Sequence, residues 1–270
     1  MKTLHFQYSM TLVFDNPVRQ HRFTLKCVPL SSERQQILDL VTSVYPNEFL
    51  SSDRDSFGNH CIYGYAQGQY DHFSVSVTGT ALTGLSSSET ARQDYQLGLF
   101  RYQTEMTQPG PCIRAFHNRF SFAEETTGLD KALAYMRTLY DTFQYLPHST
   151  NIETTAEEAM KLGNGVCQDY SHILLSLCRM EKIPCRYVVG MMTGEGQSHA
   201  WVEVCHQGHW IALDPTNNLL PDDQHIKISA GRDCKDCTIN QGLFTGQTTQ
   251  TQSIHVSVTE ISETDENGGI

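Results

Sequence analysis

From residue 1 to about 84, apolar and polar positions alternate along short runs. In "HFSVSVTG", Phe73, Val75 and Val77 alternate with Ser74, Ser76 and Thr78. A period of two sends the two sets to opposite faces of a half-buried strand. "LHFQYSMTLVF" and "RQHRFTLKCVPL" read as two further strands parted by "DNP", and "DSFGNH" and "YAQGQY" carry turn residues. An antiparallel β module is expected here. One stretch inside it, "SSERQQILDLV", fits a short helix.

"TGLSSSET", residues 83–90, is small and polar and reads as a linker. It ends on Ser88, a candidate N-cap for a helix over "ETARQDYQLGLF". From 128 the period changes. Leu129, Leu133, Met136, Leu139, Tyr140 and Phe143 recur at spacings of three and four, the signature of an amphipathic helix. "NIETTAEEAMKL" predicts a short helix capped by Thr154 or Thr155 and closed by "GNG". A third helix is expected from about Cys167 to Met180, with Tyr170, Ile173, Leu174, Leu177 and Cys178 on one apolar stripe. "CRYVVGMM", "HAWVEVCH" and "WIALDP" then read as strands, and the acidic tail "TDENGGI" is expected to fray. The expected fold class is α+β. A β domain over 1–84 precedes a second domain over 85–270.

Composition narrows the function. The chain has 270 residues and a formal net charge of −11. Nucleic-acid binding draws its affinity from clustered Lys and Arg, so no nucleic-acid partner is expected. No stretch approaches the roughly 20 apolar residues that span a bilayer. "MKTLHFQYSM" lacks the apolar core of a secretion signal. A soluble, cytoplasmic protein with no membrane partner is expected. The nine cysteines are odd in number on a long chain, which favours reduced thiols over a disulfide framework.

Among them Cys167 stands apart. It follows "GNGV" at the mouth of the third helix. A helix N-terminus offers partial positive charge and unpaired N–H groups. Both favour a thiolate, and the same N–H groups can hold an oxyanion. A cysteine nucleophile also needs a base and a group to orient it. His199 opens one strand and Asp214 ends the next. If Gln207 and Gly208 form a two-residue hairpin loop, His206 pairs with His209, and His199 and Asp214 fall on one face within reach. A one-residue slip would separate them. Asp214 would then bond one ring nitrogen of His199 while the other faces Cys167, and each charge of the thiolate–imidazolium pair favours the other. The plainer readings are a turn-filling cysteine, a strand-end histidine and an aspartate before Pro215. Asp169 is expected to stabilise the helix N-terminus. Trp201 is either a cleft wall or a core residue, and His172, His206 and His209 are surface or satisfied residues.

"GVCQDYSHILLSLCRMEKIPCRYVVG", "SHAWVEV" and "WIALDPTNN" together resemble the core of the bacterial transglutaminase-like superfamily, the papain-like cysteine enzymes of that group. The pieces match in order over 128–235, "ISAGRDCKD" resembles a further family segment, and the module at 1–84 is similar to the N-terminal domain of bacterial members. The resemblance implies Cys167 as nucleophile, His199 as base and acid, and Asp214 as orienter, with the cysteine helix packed on an antiparallel sheet. It implies acyl transfer on a peptide, protein or small amide substrate, by hydrolysis or by transfer to an amine; a non-catalytic scaffold is the rival. No cofactor and no metal is expected. Animal crosslinking members use calcium, but no EF-hand loop is visible here. Cys234 and Cys237 depart from the family pattern. One CxxC supplies only two of the four ligands zinc wants. The first oxyanion donor is expected from the Cys167 N–H, the second from Tyr145 or Gln144. Oligomeric state is not legible.

Overall fold

The computed structural model describes residues 1–91 and 94–261, with side chains at all of these except 94–96. The tail expected to fray lies outside the described residues. The strands of the first part are β1 (Lys2–Leu25), β2 (Gln35–Tyr45), β3 (Phe49–Arg54), β4 (His60–Ala66) and β5 (Tyr70–Thr83). There follow β6 (Glu89–Thr90), α1 (Asp94–Leu99), α2 (Pro111–His117), α3 (Gly128–Thr142), β7 (Gln144–Tyr145), α4 (Ala156–Leu162), β8 (Asn164–Gly165) and α5 (Cys167–Met180). The chain ends in β9 (Cys185–Met192), β10 (Gly194–Gly196), β11 (His199–His206), β12 (His209–Leu213), β13 (His225–Gly231), β14 (Asn240–Thr245) and β15 (Gln250–Glu260).

The two opening strands expected around "DNP" are one bent strand. The first half of β1 pairs with β5 and β15, and its second half with β4 and β14. The register shifts between Val13 and Val18. Leu4, Phe6, Tyr8, Met10, Leu12 and Phe14 point inward, as a period of two demands. "SSERQQILDLV" is not helical: it opens β2, which pairs with β5 and with no other strand among the described residues. Most of β2 is exposed, so no clean alternation marks it.

The second sheet runs β13-β9-β11-β12-β6, with α5 packed against it. Glu89–Thr90 does not enter a helix after Ser88. It pairs with β12 and carries the Glu89 carboxylate to Arg186 and Lys227. Helix α3 stops at Thr142, and Gln144–Tyr145 instead pairs in parallel with β8. Its buried face is Ala132, Tyr135, Met136 and Leu139, while Tyr140 is exposed. Thr155, rather than Thr154, caps α4, in a reciprocal box with Glu158.

Helix α5 is buried on every side. Besides the expected stripe, His172, Ser176 and Arg179 are enclosed. Arg179 donates to Thr107 Oγ1 at 2.9 Å and to the carbonyls of Cys185 at 3.3 Å and Arg232 at 2.5 Å, which offsets part of the cost of burying its charge. One chain segment crosses the division expected at 84/85. β14 and β15 return to β1, so residues 240–260 lie in the sheet of the N-terminal module. β15 also pairs with β10, which leads into the strand bearing His199. Met191, Ile226 and Ile228 from the second sheet join the apolar core of the first.

Candidate active site

Cys167 is the first residue of α5, after Val166 in extended conformation. Asp169, one turn in, reaches back. Its Oδ2 accepts from the Val166 N–H at 2.8 Å and from Thr150 Oγ1 at 2.6 Å. The expected helix-stabilising role is thus carried by a specific bond that pins the turn before the cysteine. Burial pushes the Asp169 carboxyl up, against the pull of those two bonds.

The hairpin register is the one that unites His199 and Asp214. Gln207 and Gly208 both take positive φ, 49° and 79°, as a type I′ turn requires. His206 pairs with His209 and Val202 with Leu213. Asp214 follows directly, its N–H bonded to the Leu219 carbonyl at 2.8 Å.

His199 Nε2 donates to Asp214 Oδ2 at 2.7 Å. That bond leaves Nδ1 for the side of the ring where the sulfur lies. Burial works to lower the His199 pKa, but the bonds to Asp214 and to the Cys167 sulfur, with their charges, raise it to about 10. Asp214 is fully buried. Burial would raise its carboxyl, yet His199, His225 and Asn217 hold it well below the usual range. Its Oδ1 accepts from the backbone N–H of Thr216 at 2.9 Å and of Asn217 at 3.3 Å, and Oδ2 accepts from Asn217 Nδ2 at 2.7 Å. A carboxylate so supplied can orient an imidazole without turning away.

Trp201 belongs to the core. It is buried, tilted against the His199 ring at 6.2 Å, and met edge-on by His225 at 5.5 Å. Gly190, opposite His199 on β9, makes room for it: a Cβ there would come within 2.3 Å of the indole. His172 is buried and only half satisfied, since its Nδ1 has no hydrogen-bond partner among the described residues. It accepts from the Cys234 N–H at 3.3 Å, and burial lowers its pKa to about 3. His206 and His209 sit at the hairpin tip.

His225 was not singled out by sequence reasoning. It begins β13, and only the pairing of β13 with β9 brings it to the site. Its Nε2 lies 3.8 Å from Asp214 Oδ2 and its Nδ1 3.6 Å from Asp222 Oδ1. Ligand atoms of His199, Asp214 and His225 fall within 4.8 Å of one another, close enough to share a cation. As arranged, Asp214 Oδ2 is occupied by protons from His199 and Asn217. Cys234 and Cys237 are free thiols. Burial pushes Cys234 up to about 12 and Cys237 higher still, which disfavours the thiolate a metal ligand needs.

Two depressions meet at this centre. One, of about 560 Å³, is lined by Cys167, His199, Tyr145, Val256 and residues 193–198. The other, of about 440 Å³, is lined by Tyr140, Phe143, Tyr145, Met192, His199 and Asn217 among others. Tyr145 borders both and Gln144 neither, so of the two expected oxyanion donors only Tyr145 reaches the site. A larger depression of about 640 Å³ lies on the N-terminal sheet around Phe23, Tyr63 and Leu243 and includes none of these residues.

Residues 115–215 match the transglutaminase-like superfamily core, and residues 4–81 match the bacterial transglutaminase-like N-terminal region. An uncharacterized protein of Mycobacterium leprae is 32% identical over 128 residues, which cover 44% of this chain and 46% of that protein. One of Mycobacterium bovis is 30% identical over 122 residues, or 39% of each chain. The chain thus spans less than half the length of the curated relatives it matches. A crystal structure from Cytophaga hutchinsonii, described as a candidate cysteine protease, superposes with a TM-score of 0.80 at 25% identity, over 97% of this chain and 92% of that one. The fold is therefore that of a transglutaminase-like, papain-like protein, with antiparallel sheets around a central cysteine helix. In both its parts, N-terminal region and core, the chain belongs to the transglutaminase-like superfamily in its bacterial arrangement.

Proposed function

We propose that the protein is a thiol-dependent acyl-transfer enzyme acting on amide bonds, with hydrolysis as its main outcome. Cys167 is the nucleophile, His199 the acid and base, and Asp214 the orienter. One observation carries the reading: a single imidazole bonds a buried carboxylate through Nε2 at 2.7 Å and lines one depression with a cysteine at a helix N-terminus.

The chemistry runs in two halves. The Cys167 thiolate attacks the amide carbonyl, and a C–S bond forms. The oxyanion is met by the Cys167 N–H and the Tyr145 hydroxyl. Burial, and then the charge of the nearby sulfur, push the Tyr145 phenol up, which keeps it a proton donor. The C–N bond breaks, and the amine leaves with the proton of the His199 imidazolium. His199 then takes a proton from water as the water oxygen attacks the thioester, and the sulfur departs as thiolate. Cys167 is only half-buried and lines an open depression, so water can reach the thioester. That access favours hydrolysis over transfer to an amine.

Thiol labelling tests the reading. Cys27, Cys61, Cys178, Cys185 and Cys237 are buried. Burial, as the largest effect, also pushes Cys112, Cys205 and Cys234 up. Iodoacetamide at pH 6–7 should therefore label one thiol fast, and peptide mapping should locate it at Cys167. A Cys167→Ala variant should form no acyl adduct from a cell lysate where the wild type does, as read by intact-protein mass spectrometry. Uniform slow labelling of all cysteines, or unimpaired turnover by the variant, would leave the scaffold reading instead.

A further inference from the structure

β10 closes one side of the eight-stranded sheet. β15 holds one of its edges, and no strand among the described residues takes the other. All three of its residues are exposed. An edge strand turns alternate N–H and C=O groups away from its partner, where another extended chain can pair with them. Its residues Gly194, Glu195 and Gly196 line the depression that contains Cys167 and His199.

Its two glycines answer to different needs. Gly194 has φ +121°, which favours glycine whatever the space. Gly196 has no such φ, and a Cβ there would meet nothing within 4 Å. The fold does not demand glycine at 196. A bare backbone there keeps side chains out of the cleft and lets another main chain approach closely. The strand is also held in place: Glu195 accepts from Ser257 Oγ at 3.0 Å and pairs with His255 Nε2 at 3.2 Å.

The second depression touches His199 but not Cys167. Tyr140, Phe143, Tyr145 and Met192 give it apolar walls. The Tyr170 hydroxyl is committed to the Phe143 carbonyl at 2.6 Å, so that side chain offers its ring and no donor. In acyl transfer the acyl part stays on sulfur, and the amine departs with the proton from His199. The depression bordering the sulfur is therefore the acyl side, and the one bordering His199 alone is the amine side.

We infer that the ligand of this cleft is an extended peptide whose main chain adds to the free edge of β10 on the acyl side and whose apolar, preferably aromatic, side chain fills the tyrosine-lined depression on the amine side. The assignment of sides rests on the proposed roles of Cys167 and His199. Binding itself does not, which separates the two tests.

The full chain carrying Cys167→Ala is titrated by fluorescence anisotropy with a labelled pool of short extended peptides. One position at a time is varied among aromatic, aliphatic and acidic residues. The tightest peptide is then N-methylated at each backbone amide in turn. An aromatic residue at one position should bind about tenfold tighter than an acidic one, and Tyr140→Ala should erase that preference. N-methylation should weaken binding about tenfold at alternate residues and spare those between, as strand pairing requires. Equal loss at every residue, or at none, overturns pairing on β10. Indifference to the aromatic residue overturns the amine-side pocket, and no binding at millimolar peptide overturns both. Iodoacetamide labelling of the wild type reports on the nucleophile separately, since the variant lacks the sulfur.

Discussion

Gly165 and Asp169 fit only as a pair: a Cβ on Gly165 would come within 2.5 Å of the Asp169 carboxylate oxygen that holds the turn before Cys167. Gly165 has no positive φ, so its need for glycine is one of space and not of conformation.

Gly165→Ala should therefore push Asp169 off the Val166 N–H and shift Cys167. The cost of such overpacking is about 1–3 kcal/mol. A denaturant titration should read it as a lowered midpoint with the slope unchanged. Iodoacetamide labelling of Cys167 at pH 6–7 should slow in parallel. If both stay at wild-type values, Asp169 does not position the nucleophile through this turn.

Asp214→Asn isolates the charge that orients His199. The amide oxygen can still accept from the Thr216 and Asn217 N–H groups, so the turn should persist. What is lost is the carboxylate that bonds His199 Nε2 and raises its pKa. The acylation rate should fall about 10²–10⁴-fold, the span ascribed to a positioned acid–base group. Stopped-flow acylation with an activated amide measures it, and a fall of less than about threefold would remove Asp214 from the proposed machinery.

The site was more legible than the sheet that supports it. Gln207-Gly208 dictates a two-residue turn, and that turn alone fixes the register bringing His199 to Asp214. Cys167 was legible because glycines before an apolar-striped run mark a helix start. β14 and β15 were not: Ile254, Val256 and Val258 alternate with His255, Ser257 and Thr259 as a strand does, but the partner in β1 lies more than two hundred residues away, so nothing local places these strands in its sheet. The bend in β1 around 14–21 looks like a break between strands, since Asn16 and Pro17 carry turn chemistry. The helix expected over "SSERQQILDLV" lost to the tertiary pairing of β2 with β5, which local propensity cannot register. His225 was invisible for the same reason as β15: only the β13–β9 pairing gives it a place.

Glu89 tests the joint between the linker and the second sheet. Its carboxylate pairs with Arg186 Nη2 at 2.9 Å and with Lys227 Nζ, and Glu203 approaches Lys227 at 3.4 Å. Glu89→Ala leaves two cations to one carboxylate in a buried place. The expected cost is about 3 kcal/mol, the lower end for a broken buried pair because Glu203 remains. Burial would raise the Glu89 pKa, but Lys227 and Arg186 hold it near about 2. A depressed carboxylate stabilises above its ordinary pKa of 4.5 and loses that contribution as pH falls toward about 2. Acid unfolding of the wild type, followed by circular dichroism, should thus carry a component in this window that the variant lacks. Coincident acid profiles would deny Glu89 that role.

The pH dependence of acylation follows from the histidine. The proposed step needs His199 protonated, to give the leaving amine its proton, and Cys167 as thiolate beside it. The His199 pKa is raised from 6.5 to about 10, so the imidazolium persists through neutral pH. The sign is that of a raised pKa: the contribution of this proton to stability is full below 6.5 and disappears as pH climbs through about 10. Acylation should hold a plateau across neutral pH and decline on an alkaline limb near about 10. In Asp214→Asn the limb should move toward 6.5, because the carboxylate that raises the pKa is gone. Single-turnover acylation from pH 5 to 11 measures both limbs, with roughly a unit of precision in each apparent value. An alkaline limb at the same pH in both proteins would mean that the group titrating there is not an imidazole held by Asp214.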